Sequence, residues 1–251
     1  MNATKVKVLT VGDGDLSYSL AIYRCFDMSI DLTATTYIPR NVLFATYAKA
    51  KNKLHQLESF GCSVIHNVNA TSLSSTLCTN NSMTTKKFDH IIFNHPHLGL
   101  GDLHQTKAHS QRHVVLIAHF LSSTIDILAN GGHVHLGLCG RQPVNWKAVE
   151  AARRTNCLKL VHIKEATRLE SLVVGNLTNL ARAKPKKEWM ARKRFLHLHA
   201  MGAFGYEHRR SNGDADIGGS GNSVNLVWQK RNLGIRKDEI GGSSSSSSSS
   251  S

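Results

Sequence analysis

An apolar run that ends in two closely spaced glycines constrains this chain more than any other feature. Val6–Val11 is mostly apolar, as a buried strand is, and Gly12 and Gly14 follow it directly. Apolar residues then recur at helical spacing from Leu16 onwards. A strand that passes through glycines into a helix predicts a nucleotide-type cradle, because the glycines let backbone approach a ligand and the helix N-terminus presents free N–H groups.

Strand and helix patterns alternate along the rest of the chain. The predicted strands are 5–11, 31–37, 62–68, 88–93, 133–139, 158–166 and 223–229, and the predicted helices are 17–26, 41–60, 111–129 and 145–155. This alternation predicts an α/β fold in which a mostly parallel sheet has helices on both faces. We expect one domain over residues 1–240, followed by a disordered serine-rich tail over 241–251 that cannot bury apolar surface.

The charge balance indicates a polyanionic partner. The 251 residues include 31 Lys and Arg against 17 Asp and Glu, which gives a formal net charge of +14. A surface this basic attracts nucleic acid, and a generally basic soluble protein is the alternative. No apolar run approaches the roughly 18 residues of a membrane span. The first residues also lack the pattern of a signal peptide, so we expect no membrane partner.

Cysteine and histidine spacing predicts no metal site. The five cysteines form no C-x-x-C pair, so neither a zinc site nor a disulfide framework is indicated. Histidines two residues apart share one face of a strand and form a possible pair of ligands. Three such pairs occur: His95/His97, His133/His135 and His197/His199. No third ligand stands at a recognisable spacing from any of them.

Two acidic residues within the glycine turn favour one cofactor over another. Asp13 and Asp15 would repel the pyrophosphate of a dinucleotide. They suit a ligand that carries a sulfonium and an ammonium group, as S-adenosylmethionine does. The turn therefore favours S-adenosylmethionine over NAD.

The ends of the second and third predicted strands lack the expected acid. In α/β sheets ligands bind at the carboxyl ends of strands, where a carboxylate commonly holds ribose hydroxyls. Residues 35–40 contain no carboxylate, and Asn69 follows the third strand. The Asn69 amide has both donor and acceptor atoms for an adenine edge, and the alternative is an ordinary turn cap.

A carboxamide, a proline and two histidines follow the fourth predicted strand, at Asn94–His97. A carboxamide on a rigid proline loop can orient a nucleobase. A uracil ring nitrogen must lose its proton before or during methylation, and His95 or His97 can accept that proton. The alternative is that Pro96 merely turns the chain and leaves the histidines exposed.

Six segments, taken together and in order, resemble the 25S ribosomal-RNA (uridine-N3)-methyltransferase-like family of class I enzymes. They read GDGDLSYSLA, LTATTY, LESFGCSVIHNVNAT, FDHIIFNHPHLG, GGHVHLGLCGRQPVNW and FGYEHRRS. The resemblance implies a Rossmann-like sheet of seven strands whose last strand is antiparallel beside the sixth. It also implies methylation of uridine N3 in large-subunit rRNA with S-adenosylmethionine, an EC 2.1.1 activity.

The resemblance assigns roles residue by residue. Gly12, Asp13 and Gly14 match the cofactor turn of the family, and Ser17 and Ser19 match the start of the helix after it. The family has the segment N-F-P-H after the fourth strand. Asn94, Pro96 and His97 match it, and this chain has His95 where the family has phenylalanine. We therefore predict Asn94 and His97, with His95 as the second candidate base, as the catalytic residues.

Two positions depart from the family pattern. Ile38 and Asn69 stand where the family commonly has acids. Each change removes a charge-assisted hydrogen bond of about 1.5–3 kcal/mol. Two alternatives to the enzyme therefore remain: a weakened or inactive RNA-binding protein of the same fold in ribosome biogenesis, and a methyltransferase for another substrate.

A basic segment supplies the predicted contacts to ribosomal RNA or the pre-ribosome. Its cations include Lys184, Lys186, Lys187, Arg192, Lys193, Arg194, Arg209 and Arg210, with aromatic residues such as Phe204 and Tyr206 between them. Cations for phosphates and aromatics for splayed bases are typical of single-stranded RNA binding, and a solvated basic face over buried aromatics is the alternative. The clusters also resemble a nuclear import signal, which predicts the nucleus or nucleolus, with the cytoplasm as the alternative.

Overall fold

The computed structural model describes residues 5–77, 86–98, 107–139, 142–161, 204–207, 209–210, 213–216 and 223–231. The strands are β1 (Val6–Val11), β2 (Ile30–Thr35), β3 (Ser63–Ile65), β4 (Phe88–Asn94), β5 (Leu128–Cys139), β6 (Leu158–Val161), β7 (Arg209–Arg210), β8 (Gly213–Asp216) and β9 (Ser223–Lys230). The helices are α1 (Ser17–Phe26), α2 (Arg40–Thr46), α3 (Ala50–Ser59), α4 (Leu73–Leu77), α5 (Lys107–Thr124), α6 (Gln142–Asn145) and α7 (Ala148–Arg153).

Seven strands form one sheet in the order β3-β2-β1-β4-β5-β9-β6. The first five of these pair in parallel, and β9 lies antiparallel between β5 and β6. This is the predicted class I methyltransferase sheet, so the predicted fold is confirmed. Helices α1 and α3 pack on one face, and α4, α5 and α7 pack on the other. The remaining strands, β7 and β8, form a separate ribbon.

The helix predicted over residues 41–60 is broken in the structure. α2 ends at Thr46 and α3 begins at Ala50. Between them Tyr47 is extended, with φ −128°, and its side chain is buried. Its hydroxyl lies 3.1 Å from the place that a Cβ on Gly14 would occupy. The break therefore inserts a tyrosine beneath the glycine turn, which helical periodicity alone does not reveal.

The helix predicted to end at residue 129 is also shorter than expected. α5 ends at Thr124, whose hydroxyl donates to the carbonyl of Leu121 at 2.7 Å. Gly131 and Gly132, which follow the end of the predicted helix, instead lie within β5, where the register against β4 shifts. Gly131 has φ +74°, and a Cβ on Gly132 would come within 2.9 Å of a carbonyl oxygen. Both positions thus require glycine for a strand irregularity rather than for a helix end.

Several predicted features lie outside the described residues. They are the tail 241–251, the end of the sixth strand beyond Val161, and the basic residues from Lys184 to Arg194. Among the helices that the structure does describe, none is both long and apolar enough to cross a membrane.

Candidate cofactor and substrate site

The glycine turn is pinned to the carboxyl end of β2. The Gly12 N–H donates to Thr35 Oγ1 at 3.2 Å, and the Asp13 N–H donates to the Thr35 carbonyl at 2.9 Å. Gly12 has φ +62°, and a Cβ there would stand 3.2 Å from the Phe93 ring. Leu16, which precedes α1, is fully buried in the left-handed conformation with φ 65°. The turn is therefore a preformed backbone loop at the edge where ligands bind in such sheets.

Asp13 is a buried acid at the N-terminus of α1. Its Oδ2 accepts from the Ser19 N–H at 2.7 Å and from the Ser19 hydroxyl at 2.6 Å. Burial, and next the nearby charge of Asp15, raise the pKa of Asp13 to about 6 in spite of these hydrogen bonds. Oδ1 makes no hydrogen bond to any residue that the structure describes. Asp13 thus combines a structural oxygen with a second oxygen that is open to a cationic ligand.

Asp15 is engaged entirely within the protein. Its Oδ1 accepts from the backbone and hydroxyl of Ser17, at 3.0 and 2.6 Å. Its Oδ2 pairs with Lys53 Nζ at 2.5 Å, and the side chains of this pair are 4% and 10% exposed. Glu207 also contacts Lys53, at 3.3 Å. Of the two acids predicted to face the ligand, only Asp13 has an oxygen available for it, whereas Asp15 holds the turn against α3.

The raised pKa of Asp13 predicts how stability varies with pH. From the pKa of a free Asp, about 4, up to about 6, the folded state holds a proton that the unfolded chain has lost. Stability therefore falls as the pH rises through this window. Asp13→Asn removes the titration but keeps an oxygen for Ser19. We expect the free energy of urea unfolding of the variant, relative to that of the wild type, to rise by on the order of 1–3 kcal/mol between about pH 4 and pH 7.

The exposed Asp27 provides the matched control for this prediction. Asp27 has φ 54°, a left-handed conformation that Asn tolerates as well as Asp does. Asp27→Asn should follow the wild-type pH dependence. Parallel stability curves for Asp13→Asn and the wild type would contradict the burial of the Asp13 charge.

The ends of β2 and β3 meet through a histidine that the sequence argument did not include. The Thr36 hydroxyl donates to the Ile38 carbonyl at 2.8 Å and lies 2.8 Å from His66 Nδ1. Because this hydroxyl already donates, Nδ1 must carry the hydrogen, which leaves His66 Nε2 as an acceptor. Burial, and next the charge of Arg40, lower the pKa of His66, which favours this neutral form.

Ile38 and Asn69, the two departures from the family pattern, have different surroundings. Ile38 is partly buried against the core on the α1 side of the sheet. Asn69 Oδ1 accepts from the N–H and hydroxyl of Thr71, at 3.0 and 2.8 Å. The oxygen therefore forms the turn cap that was the alternative reading of Asn69. Its amide nitrogen has no hydrogen bond in the described part of the chain and is available to a ligand.

Asn94 ends β4 beside the glycine turn, since Phe93 is the ring that lies against Gly12. Its amide nitrogen donates to the Tyr206 hydroxyl at 3.1 Å. A Cβ on Gly137 would overlap Asn94 Oδ1, so any larger residue there on β5 would displace the Asn94 carboxamide. One amide hydrogen is used by Tyr206, and the second has no acceptor among the described residues. Asn94 is thus a fixed carboxamide with a spare donor.

The two candidate bases after Asn94 differ in exposure. His95 is half-buried with φ 50°, and its backbone N–H donates to the Gly137 carbonyl at 2.9 Å. His97 is exposed, and its ring centroid lies 5.4 Å from those of His109 and His113 on α5. Although the side chain is exposed, neighbouring groups remove part of its hydration; this, and next the charge of His109, lower the pKa of His97. The structure therefore brings to His97 the further imidazoles that the sequence argument lacked.

Residues 204–207 cross from α1 to Asn94. The Ser17 hydroxyl lies 3.1 Å from the carbonyl oxygen of Glu207, and the Tyr206 ring meets Tyr18 edge-on at 5.2 Å. Phe204 and Tyr206 are half-buried against the core, rather than standing out from the protein. Tyr206 lies in FGYEHRRS, one of the six segments that resemble the family, so the sequence already indicated that this segment belongs near the site. Lys53 had no comparable signal, because a lysine within a helix normally faces solvent.

Of the cations predicted to contact RNA, the structure describes only Arg209 and Arg210. Arg209 and Arg210 form β7, which pairs with β8, and the other named cations lie outside the described residues. The remaining predicted histidine pair of the sheet, His133 and His135, is buried beside His90, whose Nδ1 lies 2.9 Å from His135 Nε2.

A family model described as BMT5-like, rRNA (uridine-N3-)-methyltransferase BTM5-like, matches residues 9–168. The uncharacterized Arabidopsis thaliana protein At4g26485 is 29% identical over 133 residues, which cover 52% of this chain and 61% of that protein. The mouse ferredoxin-fold anticodon-binding domain-containing protein 1 homolog is 33% identical over 136 residues, 54% of this chain and 20% of that protein. The chain thus spans only part of the length of these curated relatives.

Solved methyltransferases are among the structures similar to this chain. A TehB-like SAM-dependent methyltransferase from Corynebacterium glutamicum is 12% identical, with a TM-score of 0.41 over 91% of this chain and 83% of that one. TrmN from Thermus thermophilus is 17% identical, with a TM-score of 0.42 over 62% of this chain and 38% of that one. The fold assignment rests on the strand order of the sheet rather than on these similarities.

Proposed function

This chain belongs to the BMT5-like family, and from that premise we propose that it methylates N3 of a uridine in large-subunit rRNA. S-adenosylmethionine is the cofactor of this methyltransferase. One observation carries the proposal furthest: the glycine turn and the Asn94–His97 segment leave adjacent strands, β1 and β4, and meet where Phe93 lies against Gly12. A cofactor on the first segment and a base on the second would therefore be neighbours.

We assign the cofactor to the turn and to the ends of β2 and β3. The backbone of Gly12–Gly14 and the open oxygen of Asp13 would hold the amino-acid part. Asp15 and Ser17 support this turn from behind. His66 Nε2 would accept from a ribose hydroxyl in place of the acid missing at Ile38, and the Asn69 amide would donate to the adenine edge.

We assign the chemistry to Asn94 and His97. Bound S-adenosylmethionine supplies an electrophilic methyl group. Asn94 would donate its spare hydrogen to a uracil carbonyl, on which negative charge grows as N3 loses its proton. His97 would take that proton at a ring nitrogen, with His95 as the second candidate. Flipping the target uridine out of the RNA stack would cost a few kcal/mol. The basic segment 184–194, with Arg209 and Arg210, would bind the phosphates of the surrounding RNA.

Nucleoside mass spectrometry tests this assignment directly. The full chain is incubated with S-adenosylmethionine and large-subunit rRNA, and calorimetry measures cofactor binding separately. Cofactor binding with new 3-methyluridine is the expected result. Binding with another methylated nucleoside would replace the substrate. No binding up to millimolar cofactor would favour the alternative of an RNA-binding protein without methyl transfer, which the substitutions at Ile38 and Asn69 motivate. Nuclear or nucleolar location, part of the same proposal, is checked by imaging the tagged chain.

Loss of the His97 imidazole should affect turnover more than binding. We expect His97→Ala, assayed with a chelator present, to lower kcat about 100-fold while the Kd for S-adenosylmethionine stays unchanged. The side chain is exposed, so its removal should leave the fold intact. His95→Ala is the matched variant and should lose less. Equal losses of kcat and cofactor affinity in His97→Ala would contradict a role as proton acceptor.

A further inference from the structure

Three histidines outside the cofactor turn lie close enough to share one ion. The nitrogen ligand atoms of His97, His109 and His113 all lie within 4.8 Å of one another. Nitrogens bound about 2.0–2.1 Å from a tetrahedral zinc ion stand about 3.3 Å apart. The 4.8 Å limit exceeds this spacing by about 1.5 Å, so side-chain shifts of that order would bring the three imidazoles to coordination distance.

Secondary structure explains why two of these rings face the same way. His109 and His113 are one turn apart on α5, so both project from one side of the helix. Their ring centroids are 4.3 Å apart. His97 reaches them from the loop after β4, across the edge of the sheet. This meeting joins residues that are distant in sequence, which is why spacing alone predicted no site.

The tautomer of His113 is already the one that a metal needs. Its Nδ1 lies 2.9 Å from the His109 carbonyl, an atom that only accepts, so Nδ1 carries the hydrogen. Nε2 therefore holds the lone pair, and this buried atom has no hydrogen-bond partner in the described part of the chain. A backbone carbonyl bound to the other ring nitrogen is the usual support of a metal-binding histidine.

Packing holds the same ring in place. The His113 ring stacks on Trp146 with centroids 3.9 Å apart and planes inclined by 16°. Burial also lowers the pKa of His113 to about 4, so binding at neutral pH displaces no proton from it. A buried, neutral and rigid imidazole with an unused lone pair otherwise leaves a polar atom unsatisfied.

We propose that His97, His109 and His113 bind a transition-metal dication of the zinc class. Three imidazoles suit Zn²⁺, and the exposed side of His97 leaves a fourth position for water. The site is read from these side chains alone and does not depend on the proposed function. The metal and the uracil proton would compete for the His97 lone pair, so the acceptor role of His97 belongs to the metal-free protein.

Direct binding measurements test the site. The full chain is stripped with chelator and titrated with ZnCl₂ in calorimetry, with Co²⁺ absorption as the readout of coordination. We expect one Zn²⁺ whose affinity falls at least about 100-fold in His97→Ala, more than loss of an outer-shell partner would cause. Zn²⁺ should also raise the Tm of the wild type but not that of the variant.

Two further variants separate this site from other histidines. His119→Ala removes an exposed histidine from the same helix and should bind as the wild type does. His113→Phe keeps an aromatic ring on Trp146 but removes the ligand, so it should fold and lose the metal. Unchanged Zn²⁺ affinity in His97→Ala, or no four-coordinate Co²⁺ spectrum in the wild type, would overturn the proposal.

Discussion

Replacing Lys53 with methionine is expected to lower the free energy of unfolding by about 3–5 kcal/mol. Lys53 Nζ is the cation that neutralises Asp15, and the side chains of this pair are 10% and 4% exposed. The variant would leave a buried carboxylate with only the hydrogen bonds from Ser17. Since Asp15 also holds the glycine turn, the loss should weaken cofactor binding too. Urea unfolding and calorimetry with S-adenosylmethionine measure the two effects.

Lys49 supplies the matched control for that experiment. It pairs with Glu207 at 3.7 Å, but its side chain is 67% exposed. Lys49→Met should therefore change stability by no more than about 1 kcal/mol. The double variant Asp15→Asn with Lys53→Met removes both charges and should recover part of the loss. If Lys53→Met proved as stable as Lys49→Met, the buried ion pair would not stabilise the turn.

Replacing Asn94 with alanine is expected to lower kcat about 10²–10³-fold, with little change in cofactor affinity. The reason is the spare amide hydrogen, which a uracil carbonyl would accept as negative charge develops. The measurement is the rate of 3-methyluridine formation, with calorimetry for cofactor binding. Asn94→Asp keeps the shape of the side chain but loses the donor, so it should be similarly impaired.

Tyr206→Phe separates donation by Asn94 from its positioning. The hydroxyl of Tyr206 accepts from Asn94 at 3.1 Å, so its loss frees the carboxamide to rotate. We expect a smaller loss of kcat, about 10-fold, because the donor itself remains. A Tyr206→Phe variant as impaired as Asn94→Ala would indicate that Tyr206, rather than Asn94, contacts the substrate. A loss of cofactor affinity in Asn94→Ala equal to its loss of rate would also contradict the proposal.

Much of the fold could be predicted because its signals are local. The buried run before Gly12 and the helix from Ser17 have the periodicities of their elements, and the structure has both at nearly the predicted bounds. The errors came where a side chain serves a distant neighbour. Tyr47 breaks a helix in order to pack beneath Gly14, and Gly131 serves a strand irregularity opposite β4 rather than a helix end.

The candidate site, like the fold, was predicted only in its local features. Its backbone turn and the Asn94–His97 segment were predicted from residue types at strand ends. The sequence did not reveal that Asp15 faces Lys53, that His66 faces Thr36 or that Tyr206 reaches Asn94. Each of these contacts joins elements that are far apart in the chain, and no periodicity encodes the direction of one polar side chain.

By itself, the order of residues determined the alternating fold, the glycine turn and the family. The fold and the turn depend on hydrophobic periodicity and on backbone conformations that only glycine adopts readily, whereas the family follows from the resemblance of six segments in order. Only the tertiary structure decided which of the two turn acids is open to a ligand and that His97 meets His109 and His113. Those outcomes depend on burial and on the packing of distant segments, which decide whether a charge or a lone pair is satisfied within the protein or left for a ligand. The Val6–Gly14 segment therefore predicts a cofactor cradle, whereas the residues packed around it determine which of its groups are open to a ligand.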